Sequence, residues 1–221
     1  MDTNWAAEHL QVIRTLMERS AVYRRALAPV MILNGALGAA GAITGLATEV
    51  DTPRKFILYW VCVAAVALTG SLFLVRRQAL KASEAFWSPP TRRVTQAMLP
   101  ALAAGGIITA IAYFTTATLT PDTSRINGVS ADYVTCMVWL PAGWIILYGC
   151  AFHAAGFFMP RGMKLFGWLF VLGGCSLLAM GIPRSMHRLE HAHATMGFFF
   201  GLLHLAYGTY LYFTEKRRNE A

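Results

Sequence analysis

The chain is 221 residues long, 56% of them hydrophobic and only 14% charged, with a formal net charge of +8. Ordinary globular chains carry roughly a quarter charged residues, so this one has too little polar surface to cover itself in water. The basic excess would suit nucleic acid, but the charges flank apolar blocks and leave no room for a base-reading module, so nucleic acid is not an expected partner.

The first 25 residues precede any long apolar run. Within them, residues 5–22 read as an amphipathic helix, with Ala6, Leu10, Ile13, Met17 and Ala21 on one face and Glu8, Gln11, Thr15 and Glu18 opposite. Such a helix is expected to lie in the cytoplasmic interface with its apolar face down, or to dock a cytoplasmic partner. The acidic Asp2 and Glu8 ahead of the first block argue against a cleavable signal.

Six apolar blocks follow, each close to the roughly 20 residues that cross about 30 Å of hydrocarbon at about 1.5 Å per residue. They run over Ala26–Ala47, Phe56–Val75, Ala97–Leu119, Cys136–Phe158, Leu165–Ile182 and Ala194–Phe213, and none contains Asp, Glu, Lys or Arg. The expected fold class is therefore all-α: a polytopic helical membrane protein with about six transmembrane helices behind a short amphipathic helix. The organisation is an interfacial helix at 1–25, a transmembrane domain at 26–213 and a basic tail at 214–221.

Basic residues sort by connection. Those before the first block, between the second and third, after the fourth and in the tail make 14 of the 19. Lys and Arg are retained on the cytoplasmic side, which puts both termini inside and points to a bacterial inner membrane. Tyr59, Trp60, Trp87, Trp139, Trp144, Tyr210 and Tyr212 lie near block ends, where aromatic rings anchor helices at the headgroups.

The connections carry their own signals. Ser88-Pro89-Pro90 is expected to break the helix running on from the second block, with Thr91 capping the next one. Thr120 to Asp132 reads as an irregular loop with a turn at Asn127-Gly128. Cys62, Cys136, Cys150 and Cys175 form no C-x-x-C pair and are expected to be buried small hydrophobes. Small residues, such as Gly35, Gly38, Ala42 and Gly45 in the first block, mark faces where helices approach closely.

Two constellations could carry chemistry. Between the last two blocks, His187-Arg188-Leu189-Glu190-His191 matches H-x-x-E-H, the pattern of a zinc site with a water-activating glutamate. No outward acidic ligand follows it, so a hydrolase is not expected. A metal or proton sensor facing outward would use His187, Glu190, His191 and His193.

Inside the bilayer the ionisable side chains of interest are His153 and His204, and burying such a group is costly enough to demand a partner. One reading is a neutral ring bonded to a backbone carbonyl or a tyrosine. The other is haem, held as in a b-type electron carrier, because Gly149-x-x-x-His153-x-x-Gly156 and Gly201-x-x-His204-x-x-x-Gly208 leave gaps that could admit a flat macrocycle or a neighbouring helix. No P-loop, dinucleotide fingerprint or nucleophile-base motif appears. The leading expectation is a non-catalytic membrane module, either a small transport component for a neutral or apolar solute or an accessory or sensory subunit working with other membrane subunits.

Overall fold

A computed structural model describes residues 27–48, 50, 52–81, 86–118, 125–126, 129–130, 134–159, 162–180 and 189–220. The expected amphipathic helix at 5–22, the candidate ligand His187 and the side chains of the basic tail lie outside the described residues.

Six helices account for nearly all of it. They are α1 (Leu27–Ala47), α2 (Pro53–Lys81), α3 (Pro89–Thr118), α4 (135–155), α5 (Gly162–Met180) and α6 (189–220). Each coincides with one apolar block, and α2 and α3 run well past theirs because a helix does not stop where hydropathy does. Four of them, α1, α2, α3 and α5, are long and apolar enough to cross a membrane. The other two contain a widened π turn: Thr135–Trp139 opens α4, and Gly197–Leu202 interrupts α6. In α4 the Leu140 N–H reaches back to the Thr135 carbonyl, and Pro141, which has no N–H to give, follows directly.

Contacts along the helices show an up-and-down order. At one end the Arg54 guanidinium at the start of α2 lies 4.8 Å from the Tyr113 ring near the end of α3. The Phe56 ring stacks on Trp144 of α4 and sits edge-on to His193 of α6. At the opposite end, a Cβ on Gly162 at the start of α5 would lie 2.9 Å from the Tyr207 hydroxyl of α6.

Glycines set how closely the helices approach. On α1 the predicted small-residue face meets α6 of the same chain: a Cβ on Gly35 would lie 2.6 Å from the Leu205 nitrogen, and one on Gly201 would lie 2.8 Å from the Ala39 nitrogen. Both neighbours are backbone, so neither can swing aside. Helices α4 and α5 meet in the same way, with Gly149 against the Gly167 carbonyl at 2.7 Å. In a bilayer, where lipid is as apolar as a side chain, such close backbone packing is a principal source of helix association.

Several local expectations need correction. Helix α3 begins at Pro89, so Ser88 rather than Thr91 stands at its start: the Ser88 carbonyl accepts the Arg92 N–H at 3.0 Å, and its hydroxyl meets that of Thr91 at 2.9 Å. Proline fits the first helical position because the N–H it lacks would have no partner there. Arg125–Ile126 pairs with Val129–Ser130 as a two-residue antiparallel ladder, so the expected loop carries a short hairpin. Cys136 is buried, but Cys62, Cys150 and Cys175 are exposed; cysteine behaves as a small apolar side chain, which a lipid-facing position would hold at little cost.

Candidate functional site

Among the described residues, two knots of polar side chains are each built around a histidine, and a separate Ser71–Asn34 hydrogen bond of 2.9 Å ties α2 to α1. The first occupies the end where α2 begins. His193 of α6 is 1% exposed and is ringed by Phe56, Tyr59 and Trp60 of α2, with ring centroids at 5.0, 5.8 and 5.9 Å. The Trp60 indole N–H donates to His193 Nδ1 at 3.2 Å. Indole nitrogen only donates, so Nδ1 carries a lone pair and the proton of the neutral ring sits on Nε2, where it faces the Val50 carbonyl at a long 3.5 Å.

Neighbouring helices complete this knot. Gly45 of α1 leaves the space the imidazole fills, since a Cβ there would run into the ring. The Tyr59 hydroxyl donates to the Gly41 carbonyl at 2.5 Å. On the α3–α4 side the Trp144 N–H donates to Thr109 Oγ1 at 2.7 Å, and that hydroxyl donates to the Gly105 carbonyl at 2.7 Å. Trp60, Tyr59 and Trp144, which block-end position marks as headgroup anchors, are thus interhelical ties; Trp87, Trp139, Tyr210 and Tyr212 are exposed.

The second knot lies near the middle of α6, between α4 and the first half of α5. His204 is fully buried among Tyr148, Phe166, Phe170 and Phe200, with ring centroids 5.2 to 6.0 Å away. Its Nδ1 donates to the Phe199 carbonyl at 3.0 Å. That carbonyl is available because of the π turn: the Leu203 N–H, its ordinary helical partner, is spent on Phe198. A carbonyl only accepts, so the proton is on Nδ1, and the Nε2 lone pair takes the Tyr148 hydroxyl proton at 2.7 Å. The two partners expected for a neutral histidine, a carbonyl and a tyrosine, are both present on the one ring.

The remaining candidates are placed apart from these. His153 is half-buried, edge-on to Phe157 and Trp168 at 5.7 and 5.4 Å, while its chain neighbour Phe152 faces His204. Its Nδ1 has no hydrogen-bond partner among the described residues. The glycine gaps flanking both histidines are filled by neighbouring chain: Gly156 by Lys164, Gly201 by Ala39, and Gly208 by the Ile32 nitrogen at 2.9 Å. Glu190 is exposed, His191 is half-buried, and both ring nitrogens of His193 face partners. Among the described residues no three His, Cys, Asp or Glu side chains converge as metal ligands.

The Trp60–His193 bond gives a direct expectation. Trp60→Phe leaves a buried ring nitrogen without its donor, a loss of about 1–3 kcal/mol. Thermal unfolding in detergent should show a clear drop for Trp60→Phe and none for Trp87→Phe, whose ring is exposed.

Comparison with known proteins yields no match to a family model, to a curated protein or to a solved structure.

Proposed function

We propose that the chain is a non-catalytic six-span module of the bacterial inner membrane, with both termini in the cytoplasm, that serves as an accessory or sensory subunit of a larger membrane complex. The observation that carries this reading is the closed core around His204. Transporters hold their solute near the bilayer midplane, and here the space between α4, α5 and α6 near the middle of α6 is filled by Tyr148, Phe170, Phe200 and a histidine with both nitrogens engaged. That favours a subunit role over a small transport component. Haem ligation by His204 would require giving up the Tyr148 or Phe199 hydrogen bond and opening a backbone-filled glycine gap.

Topology rests on the basic-residue split and is supported by the up-and-down helix order. With the native cysteines replaced, a cysteine at Asn127 should label from outside, and cysteines at Lys81 and Arg218 only after permeabilisation. Labelling of position 81 in sealed cells would reverse the assignment.

The subunit role is tested at native abundance. Extracted in mild detergent, the protein should migrate in an assembly larger than its own 24.3 kDa with a defined second polypeptide; migration as a lone chain would overturn the reading. Protein made with ample haem should be colourless. A Soret band lost on both His153→Ala and His204→Ala would instead establish the electron carrier.

A further inference from the structure

Helix α2 stands at the edge of the bundle, with only Phe56, Ile57 and Trp60 buried, all in its first third. Beyond them α2 meets α1 at Gly70, where a Cβ would lie 2.8 Å from Leu33 Cδ2, and at Ser71, whose hydroxyl donates to Asn34 Oδ1 at 2.9 Å; beside that seam run two shallow apolar grooves that share Phe73. One, of about 540 Å³, is lined by Ala65, Val66, Thr69, Gly70 and Phe73. The other, of about 550 Å³, is lined by Leu72, Phe73, Arg76, Ala79, Leu80 and Phe86. The Thr69 hydroxyl is turned back to the Ala65 carbonyl at 2.8 Å, so the charged group along this trough is Arg76. Phe86, from beyond the end of α2, gives the second groove another wall.

We propose that this trough binds one anionic diacyl phospholipid of the inner leaflet, an acyl chain lying along Ala65 to Phe73 and the phosphate resting on the Arg76 guanidinium. The dimensions fit: the rise from Ala65 to Arg76 is about 16 Å at 1.5 Å per residue, close to one leaflet of a hydrocarbon core about 30 Å thick. Charge fits as well. Arg76 is exposed, and Arg77 and Lys81 extend the basic end of α2, with Arg92 and Arg93 exposed in the first turns of α3. Basic sites on the cytoplasmic side of membrane helices recruit anionic headgroups, and the planar guanidinium fork matches two phosphate oxygens. A neutral headgroup would leave that match unused, and a free anion would leave the apolar trough unused.

The assignment of leaflet rests on the topology proposed above, whereas the chemistry of the site does not; cysteine labelling and lipid retention therefore fail independently. The test is native mass spectrometry of the whole protein equilibrated with phosphatidylglycerol and phosphatidylcholine of equal chain length. One phosphatidylglycerol per chain should be retained in preference to phosphatidylcholine. Retention should weaken about fivefold in Arg76→Gln, the scale of one basic residue at a membrane surface, and clearly less in Arg77→Gln, since Arg76 lines the groove and Arg77 does not. Equal retention of the two lipids by the unaltered protein would overturn the proposal without any variant, as would an unaffected Arg76→Gln, displacement of the lipid by excess inorganic phosphate, or a second copy of the chain in place of the lipid.

Discussion

Replacing Gly201 with leucine is expected to abolish folded protein, and replacing it with alanine to cost enough to be measured. A Cβ at this position would lie 2.8 Å from the Ala39 nitrogen and 3.0 Å from its Cα, both backbone atoms of α1. Nothing there can rotate away, so α1 and α6 must separate, and the neighbouring contacts at Gly35, Gly38 and Gly208 are lost with the one substituted. Overpacking by a single methyl typically costs about 1–3 kcal/mol, and a leucine multiplies the misfit against a total stability of only about 5–15 kcal/mol. Gly106→Ala supplies the control, because a Cβ there meets nothing within 4 Å. The yield of monodisperse protein on size exclusion should fall in the order Gly106→Ala, Gly201→Ala, Gly201→Leu; equal yields would show that α1 and α6 are not in backbone contact at Gly201.

The same glycines show how far the residues alone could be read. That small side chains mark close helix approach was legible, and so was the existence of six helices, because apolar blocks of bilayer length admit no other compact solution in lipid. The partner of each glycine face was not legible: nothing in Gly35 or Gly38 distinguishes α6 of the same chain from a helix of another subunit. The interruption ahead of Pro89 is legible in Ser88-Pro89-Pro90, and residues 86–88 are indeed non-helical, but the residue standing at the start of α3 is Ser88 and not Thr91.

Of the two histidine knots, half was foreseeable. A histidine within an uncharged block needs a partner, and for His204 a carbonyl and a tyrosine are the partner types its chemistry calls for. Which tyrosine and which carbonyl answer that need depends on the π turn of α6, a local change of register that no spacing of apolar residues announces. Chain position alone groups His193 with His187, Glu190 and His191, four titrating side chains close together in the sequence. The structure instead directs it inward to Trp60, 133 residues away in sequence. Proximity along a chain is a weak guide at a helix start, where successive residues point about 100° apart.

Substitutions at Tyr148 and His204 should be strongly non-additive. Tyr148→Phe keeps the ring and its packing but removes the one donor to His204 Nε2, leaving a lone pair without a partner in a fully buried site. Such an orphan costs about 1–3 kcal/mol in proteins generally, although hydrogen bonds between membrane helices average only about 0.6 kcal/mol and reach about 1.7. The aromatic cage around His204 shuts out substitute partners, so the upper part of that range is expected here. His204→Leu does more, stripping the Phe199 carbonyl of its side-chain donor as well as orphaning the Tyr148 hydroxyl. In the double variant the Tyr148–His204 bond is removed once, not twice, so its destabilisation should fall short of the sum of the singles by about 1–1.7 kcal/mol. Unfolding in mixed micelles by a denaturing detergent gives all four corners of the cycle. His153→Leu measured alongside should cost less than His204→Leu, since no described hydrogen bond holds the His153 Nδ1. Strict additivity between positions 148 and 204 would mean that the two rings merely pack side by side, and the closed core on which the non-catalytic reading depends would lose its polar tie.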